Sequence, residues 1–183
     1  MKVIVSGLTG SGKSSLAKML ADRFDLKYIP GGMLLKESLP DHDFKHWETD
    51  EGLKAIKFRL EHPEYDRKVD KMIANEFDKT RNAMLDSWVA PWRTPKDEII
   101  KIYLKADLKC RAERVAKRDS TSIEEALHYT KNKDKLTTMI YKKLYEFDSR
   151  NDLQIFDLVI DDTNLDTASL FKISELFLSK QKG

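Results

Sequence analysis

Gly7-Leu8-Thr9-Gly10-Ser11-Gly12-Lys13-Ser14 satisfies the pattern G-x-x-x-x-G-K-[ST]. Glycines at these spacings let the chain curl so that backbone N–H groups point inward at phosphate oxygens. Just before the loop, residues 2–6 are a short run rich in β-branched side chains, the pattern of a fully buried strand. Just after it, Leu16, Met19, Leu20 and Phe24 recur at i, i+3, i+4 and i+8, one face of a helix ending near residue 24. A strand, this loop and a helix N-terminus in succession are the setting in which the motif binds phosphate, because the positive end of the helix dipole adds to the inward N–H groups. Lys13 would then neutralise the β and γ phosphates of a nucleotide, and the Ser14 hydroxyl would ligate Mg²⁺.

Outward from this unit, strands and helical stretches alternate. Short apolar runs predict further strands at 27–29, 82–86, 99–104 and 156–160. Residues 33–80 read as helical throughout, with one stripe of Leu53, Ile56 and Leu60 and another, after His62-Pro63, of Tyr65, Val69, Met72, Ile73 and Phe77. Trp88 to Trp92 read as an irregular aromatic segment. Leu108, Ala112 and Val115 mark a helix, Ser122 with Glu125 is a capping box that starts another running to about residue 145, and Leu170, Ile173, Leu176 and Phe177 mark a last one. The alternation predicts an α/β fold with a five-stranded parallel sheet in a single domain, 1–183. The helical stretch at about 33–80 reads as an insertion able to move against the sheet.

Composition narrows the class. Charged residues make up 35% of the chain, above the roughly 25% of an average soluble protein, which predicts a heavily charged surface. Yet 33 Lys+Arg against 31 Asp+Glu leave a net charge of only +2, so no strong field draws the protein onto nucleic acid or an anionic membrane. The single cysteine, Cys110, excludes an intramolecular disulfide and a cysteine-cluster zinc site. No run approaches the ~20 apolar residues that span a bilayer, and the cytoplasm is the expected compartment.

A phosphate-binding loop names a ligand rather than a reaction. A chain of this length has no room for motor subdomains. A GTPase would need an N-K-x-D string, and the nearest, Asn132-Lys133-Asp134, lacks the spacing and reads as a solvated helix face. Asp86 ends the third strand, where a carboxylate can reach a metal through water; with Lys13 and Ser14 nearby, the metal role is preferred to a turn-forming one. Arg111, Arg114 and Arg118 share one helix face at i, i+3 and i+7. Planar guanidinium forks suit phosphoryl oxygens. Arg118, at the helix end before Ser120-Thr121-Ser122, reads as a phosphate clamp; for Arg111 the clamp and the exposed-charge readings stay equal.

Taken together these residues resemble the nucleoside monophosphate kinases, and most closely the archaeal-type cytidylate kinases. The resemblance rests on residues 7–15, Gly31-Gly32 opening a helix, His62-Pro63-Glu64-Tyr65-Asp66 with Val69-Asp70, residues 105–118 with their Arg111-Ala112-Glu113-Arg114 string, residues 141–145 and Phe156-Asp157-Leu158-Val159-Ile160-Asp161. It implies a P-loop fold with a helical monophosphate-binding insertion (about 33–80) and a helical lid (about 119–150). The implied reaction is transfer of a phosphoryl group from ATP, with Mg²⁺, to CMP or dCMP. Gly7, Thr9, Gly10, Ser11, Gly12, Lys13, Ser14 and Ser15 are then expected to hold ATP. Lys13, Arg114 and Arg118 are expected to act in transfer, and Ser14 and Asp86 on the metal. Lys36, Asp66, Asp70 and Trp88 are expected on the acceptor side, and the protein is expected to be a monomer or weak dimer. The chain departs from the family pattern at Lys36, Trp88, Lys133 and Ile140, which stand where relatives usually carry arginine. A lysine lacks the bidentate fork, and tryptophan and isoleucine lack the charge. A kinase for another nucleotide or a metabolite, and a nucleotide-binding switch module with little transfer activity, therefore stay open on the sequence.

Overall fold

The computed structural model describes residues 1–39, 50–95, 99–147 and 152–181, Asp50 and Glu51 by their backbone alone. Residues 40–49 of the expected insertion and 148–150 of the expected lid lie outside the described residues. Five strands, β1 (Lys2–Gly7), β2 (Lys27–Pro30), β3 (Ala83–Asp86), β4 (Ile99–Lys105) and β5 (Leu158–Asp161), form one sheet in the order β2-β3-β1-β4-β5. Every pairing is parallel. The first strand is central. Its alternate side chains therefore enter two cores: Val3 and Val5 face the helices α1 (Lys13–Phe24) and α8 (Thr167–Lys180), while Ile4 packs with Ile73 and Phe77 of α4 (Glu64–Lys79).

Between β2 and β3 run α2 (Gly31–Ser38), α3 (Asp50–Glu61) and α4, the last two separated at His62-Pro63 as the sequence predicts. Gly31 opens α2 directly from β2, and a Cβ there would lie 2.7 Å from the Asp86 carbonyl oxygen. Only glycine lets the two strand ends and the helix start come so close.

After β4 come α6 (Leu108–Asp119) and α7 (Ile123–Tyr145), the latter capped by the expected Ser122–Glu125 box. Here α3 packs along α7, with Ala55 and Ile56 buried against Ile140 and Tyr141. The insertion and the lid helix thus share a core. Two local expectations shift. Ser87 Oγ accepts from the Val89 and Ala90 N–H groups and starts a helical turn, α5 (Ala90–Arg93), where an irregular segment was expected. The last strand begins at Leu158 instead of residue 156: Asp157 donates its backbone N–H to the Lys101 carbonyl at 2.9 Å, but its carboxylate takes the Lys101 N–H at 2.8 Å.

Candidate active site

The strand C-termini end at a crevice built around the 7–14 loop, where ligands bind in open parallel sheets. Gly10 and Gly12 have φ of +76° and +80°, and a Cβ on Gly10 would meet the Arg111 carbonyl oxygen at 2.5 Å. Two cavities open on the loop. One of about 710 Å³ is lined by Gly10, Gly12, Lys13, Ser14 and Ser15 of the loop and helix start, with Arg114, Arg118 and Asp162. The other, of about 770 Å³, runs from Lys13, Ser14 and Asp86 past Trp88 to Lys36, Arg59, Asp70 and Tyr141. Both have the volume of a small-molecule site. They share Lys13, Ser14 and Arg118, and the second is lined by six cationic side chains and only two carboxylates, a field suited to a phosphorylated ligand.

Lys13 lies at this junction, with its Nζ 5.9 Å from the centre of the Trp88 ring. Burial pulls its ammonium below the ordinary lysine value, while Asp86 and Asp134 pull it back up and Arg118 and Arg111 oppose them. Asp86 accepts a hydrogen bond from the Tyr28 hydroxyl at 2.9 Å. That phenol is raised well above the ordinary value by burial and then by the Asp86 charge, with a hydrogen bond to Ser14 acting the other way. Ser14, Tyr28 and Asp86 are therefore one cluster of hard oxygen donors beside the loop. Such a set suits Mg²⁺, which binds through one or two protein oxygens plus substrate phosphates rather than an all-protein cage. No group of three or more His, Cys, Asp or Glu side chains is placed to hold a metal among the described residues.

The other expected residues separate. Arg118 reaches both cavities, its guanidinium gripping Asp119 through two bonds of 2.6 Å. Arg114 lines the loop cavity alone and is held on Asp162, through both carboxylate oxygens and the carbonyl. Burial raises the Asp162 carboxyl against the pull of Arg114. Gly7, Thr9 and Ser11 line neither cavity, and the Thr9 N–H donates to Asp134 at 3.1 Å. Arg111 is no exposed charge: it is 5% exposed and bound to Asp134 at 2.6 Å. Asp134, expected on a solvated face, is likewise buried at 7% exposure.

On the acceptor side Lys36, Asp70 and Trp88 line the larger cavity, but Asp66 does not. Its carboxylate is buried and consumed by Arg59, which donates from Nε at 3.1 Å and Nη2 at 2.6 Å. Arg59 was missed. Its signal was a charge at i+3 from Ile56 on the apolar stripe of α3. Trp88 is both wall and packing: it lines the cavity and lies 6.5 Å from the Tyr141 ring. Trp92 belongs to the core, stacked on Phe147 at 4.7 Å and edge-on to Phe156.

Asp70 accepts from the Tyr145 hydroxyl at 2.6 Å. Burial pushes its carboxyl up to about 6 despite that bond. The folded protein therefore holds this proton more tightly than the unfolded chain, so stability falls as pH rises from the ordinary value of 3.8 to about 6 and is level above. Asp70→Asn should flatten that slope and raise the thermal midpoint at pH 7 relative to wild type. Calorimetric unfolding of both proteins from pH 4 to 7 checks this, and parallel curves would refute it.

Residues 3–164 match the sequence profile of the cytidylate kinase-like family. The chain is 31% identical over 182 residues to the cytidylate kinase of Sulfurisphaera tokodaii, covering 98% of this chain and 96% of that one. It is 33% identical to that of Pyrococcus horikoshii over 174 residues, 93% of this chain and 84% of that one. Among solved structures, shikimate kinase from Bacteroides thetaiotaomicron superimposes with a TM-score of 0.62 at 11% identity, covering 100% of this chain and 99% of that one. Deoxyadenosine kinase from M. mycoides with bound dATP superimposes at 0.60 and 16%, covering 98% of this chain and 100% of that one. These two likenesses speak to the fold. With the profile match and the archaeal relatives spanning nearly its whole length, the chain belongs to the cytidylate kinase-like family.

Proposed function

We propose that the protein transfers a phosphoryl group from ATP to a nucleoside monophosphate, CMP or dCMP, giving the diphosphate and ADP. The observation that carries this reading is the meeting of two cavities at Lys13, Ser14 and Arg118, in a chain whose cytidylate kinase relatives match it from end to end. A donor in the smaller cavity and an acceptor in the larger would face each other across those three side chains.

Lys13 and the N–H groups at the start of α1 hold the β and γ phosphates. Ser14 and, through water, Asp86 would hold Mg²⁺, which would supply positive charge against that of the phosphates. Lys36 and Lys133 draw the acceptor phosphate into the larger cavity, Trp88 walls it, and Asp70 faces the acceptor's far end. Arg114 steadies the donor side through Asp162. No strong base is needed, since a phosphate monoester has its second pKa near ~6 and is largely dianionic at neutral pH. An acceptor oxygen attacks the γ phosphorus in line as the bond to the β–γ bridging oxygen breaks, so positioning and charge neutralisation supply the rate. No described helix is long and apolar enough to cross a membrane. On this reading the enzyme works in the cytoplasm as a monomer or weak dimer.

The test is ADP release in the presence of ATP, Mg²⁺ and each of a panel of nucleoside monophosphates and phosphorylated or hydroxylated metabolites. CMP or dCMP is expected to give the highest kcat/KM. Trp88→Arg is expected to lower the KM for CMP about tenfold, the worth of one charge-assisted hydrogen bond. Tight ATP binding with no acceptor-dependent ADP would defeat the kinase reading, and turnover of a different acceptor alone would defeat the cytidylate one.

A further inference from the structure

Thr9 sits at the crown of the phosphate loop, yet both of its backbone polar groups are taken by side chains from outside that loop. Its N–H donates to Asp134 Oδ1 at 3.1 Å, and its carbonyl accepts from Arg111 Nη1 at 2.8 Å. The same Nη1 donates to Asp134 Oδ2 at 2.6 Å, which closes a ring of three buried groups. Arg111 is fixed in turn by a bond from Nε to the Ala106 carbonyl at 3.0 Å. Its own carbonyl packs where a Gly10 side chain would be. The loop is thus clamped at two successive residues.

Asp134 belongs to α7, and that helix does more than clamp. Lys133, Thr137 and Tyr141, at i, i+4 and i+8, line the larger cavity. At the helix end Tyr145 holds Asp70. One rod therefore grips the donor loop and forms a wall of the acceptor cavity. In-line transfer needs those two sites in register, and a displacement of about 1 Å can cost about a hundredfold in rate.

We infer that Asp134 is a positioning residue for phosphoryl transfer, the α7 carboxylate that sets the donor loop against the acceptor wall through Thr9 and Arg111.

The test uses the full chain with ATP, Mg²⁺ and the acceptor that wild type turns over. Asp134→Asn keeps an oxygen for the Thr9 N–H and removes the charge. Asp134→Asn combined with Arg111→Gln removes both charges, so that no buried ion is left unpaired and the fold is spared. Both variants are expected to lose about tenfold to a hundredfold in kcat with the KM for ATP changed little. The double variant's thermal midpoint is expected near wild type, and hydrogen exchange of the Thr9 amide is expected to quicken in both variants as the ring that holds it opens. A purely structural ion pair predicts a lower midpoint with kcat unmoved; that pattern overturns the inference, as does a defect confined to KM. The kcat arm rests on the kinase reading, and a wild type inactive on every acceptor would defeat that reading separately. Exchange of the Thr9 amide then decides for Asp134: faster exchange in the variants upholds its hold on the loop, and unchanged exchange overturns it.

Discussion

Lys13→Ala should reduce turnover by about a hundredfold or more while the protein still folds, judged from what one preorganised electrostatic contact contributes to other enzymes. The physical basis is position. Lys13 opens α1 where both cavities meet, so on the proposed reading its ammonium would face a donor's terminal phosphates and the transferring group at once. Folding should survive because this charge is a burden to the free protein: burial pulls the ammonium below its ordinary value, and only Asp86 and Asp134 counter that. Removing a partly desolvated cation leaves the apolar packing of Leu16 and Leu20 behind it untouched. Expected measurements are a thermal midpoint at or above wild type and kcat/KM for ATP lower by two decades. Near wild-type turnover would mean that the loop is not where ATP phosphates bind.

That loop was legible because its chemistry is local: strand, glycine turn, lysine and helix start are contiguous in the chain, and each obeys a short-range rule. The parallel sheet was legible for a similar reason, since strand and helix periods alternate along the sequence. Partners made across the fold were not. Asn132-Lys133-Asp134 read as a solvated face because a helix repeat says which residues share a side, not what that side meets. Asp134 meets Thr9, 125 positions away. Asp66 and Asp70 look equivalent in sequence, one turn apart on α4, and only the buried guanidinium of Arg59 separates them into a structural acid and a cavity acid. The start of β5 was misread because Phe156 is apolar enough to extend the strand, while at Asp157 a carboxylate accepts the Lys101 N–H.

The larger cavity gains a guanidinium from the same hidden geometry, since Arg59 lies in its wall with Trp88. Its Nε and Nη2 are bound to Asp66, which fixes its plane and matches its charge. What Arg59 brings to the end of the cavity that Asp70 and Tyr141 share is therefore a held planar group, not a replacement for the charge that the family resemblance leads one to expect at 88.

Arg118→Ala should lower kcat by about a hundredfold or more while changing ATP affinity severalfold at most. The expectation follows from where Arg118 ends α6: Ser120, at φ +57°, turns the chain immediately afterwards, and the side chain is 54% exposed at the junction of the two cavities. More than half exposed, with two of its bonds going to its sequence neighbour Asp119, it adds little to stability, so its loss should leave the thermal midpoint close to wild type. A guanidinium that contacts the transferring group as charge develops there acts on the transition state more than on bound ATP, and such arginines contribute on the order of 10³-fold or more in related chemistry. Arg118→Lys should recover only part of the rate, because an ammonium replaces the planar fork with a point charge. Steady-state kinetics with both substrates varied, together with ATP binding by calorimetry, separates the outcomes. A loss wholly in ATP affinity would place Arg118 on the bound nucleotide alone, and an unchanged kcat would make it an exposed partner of Asp119 with no part in transfer.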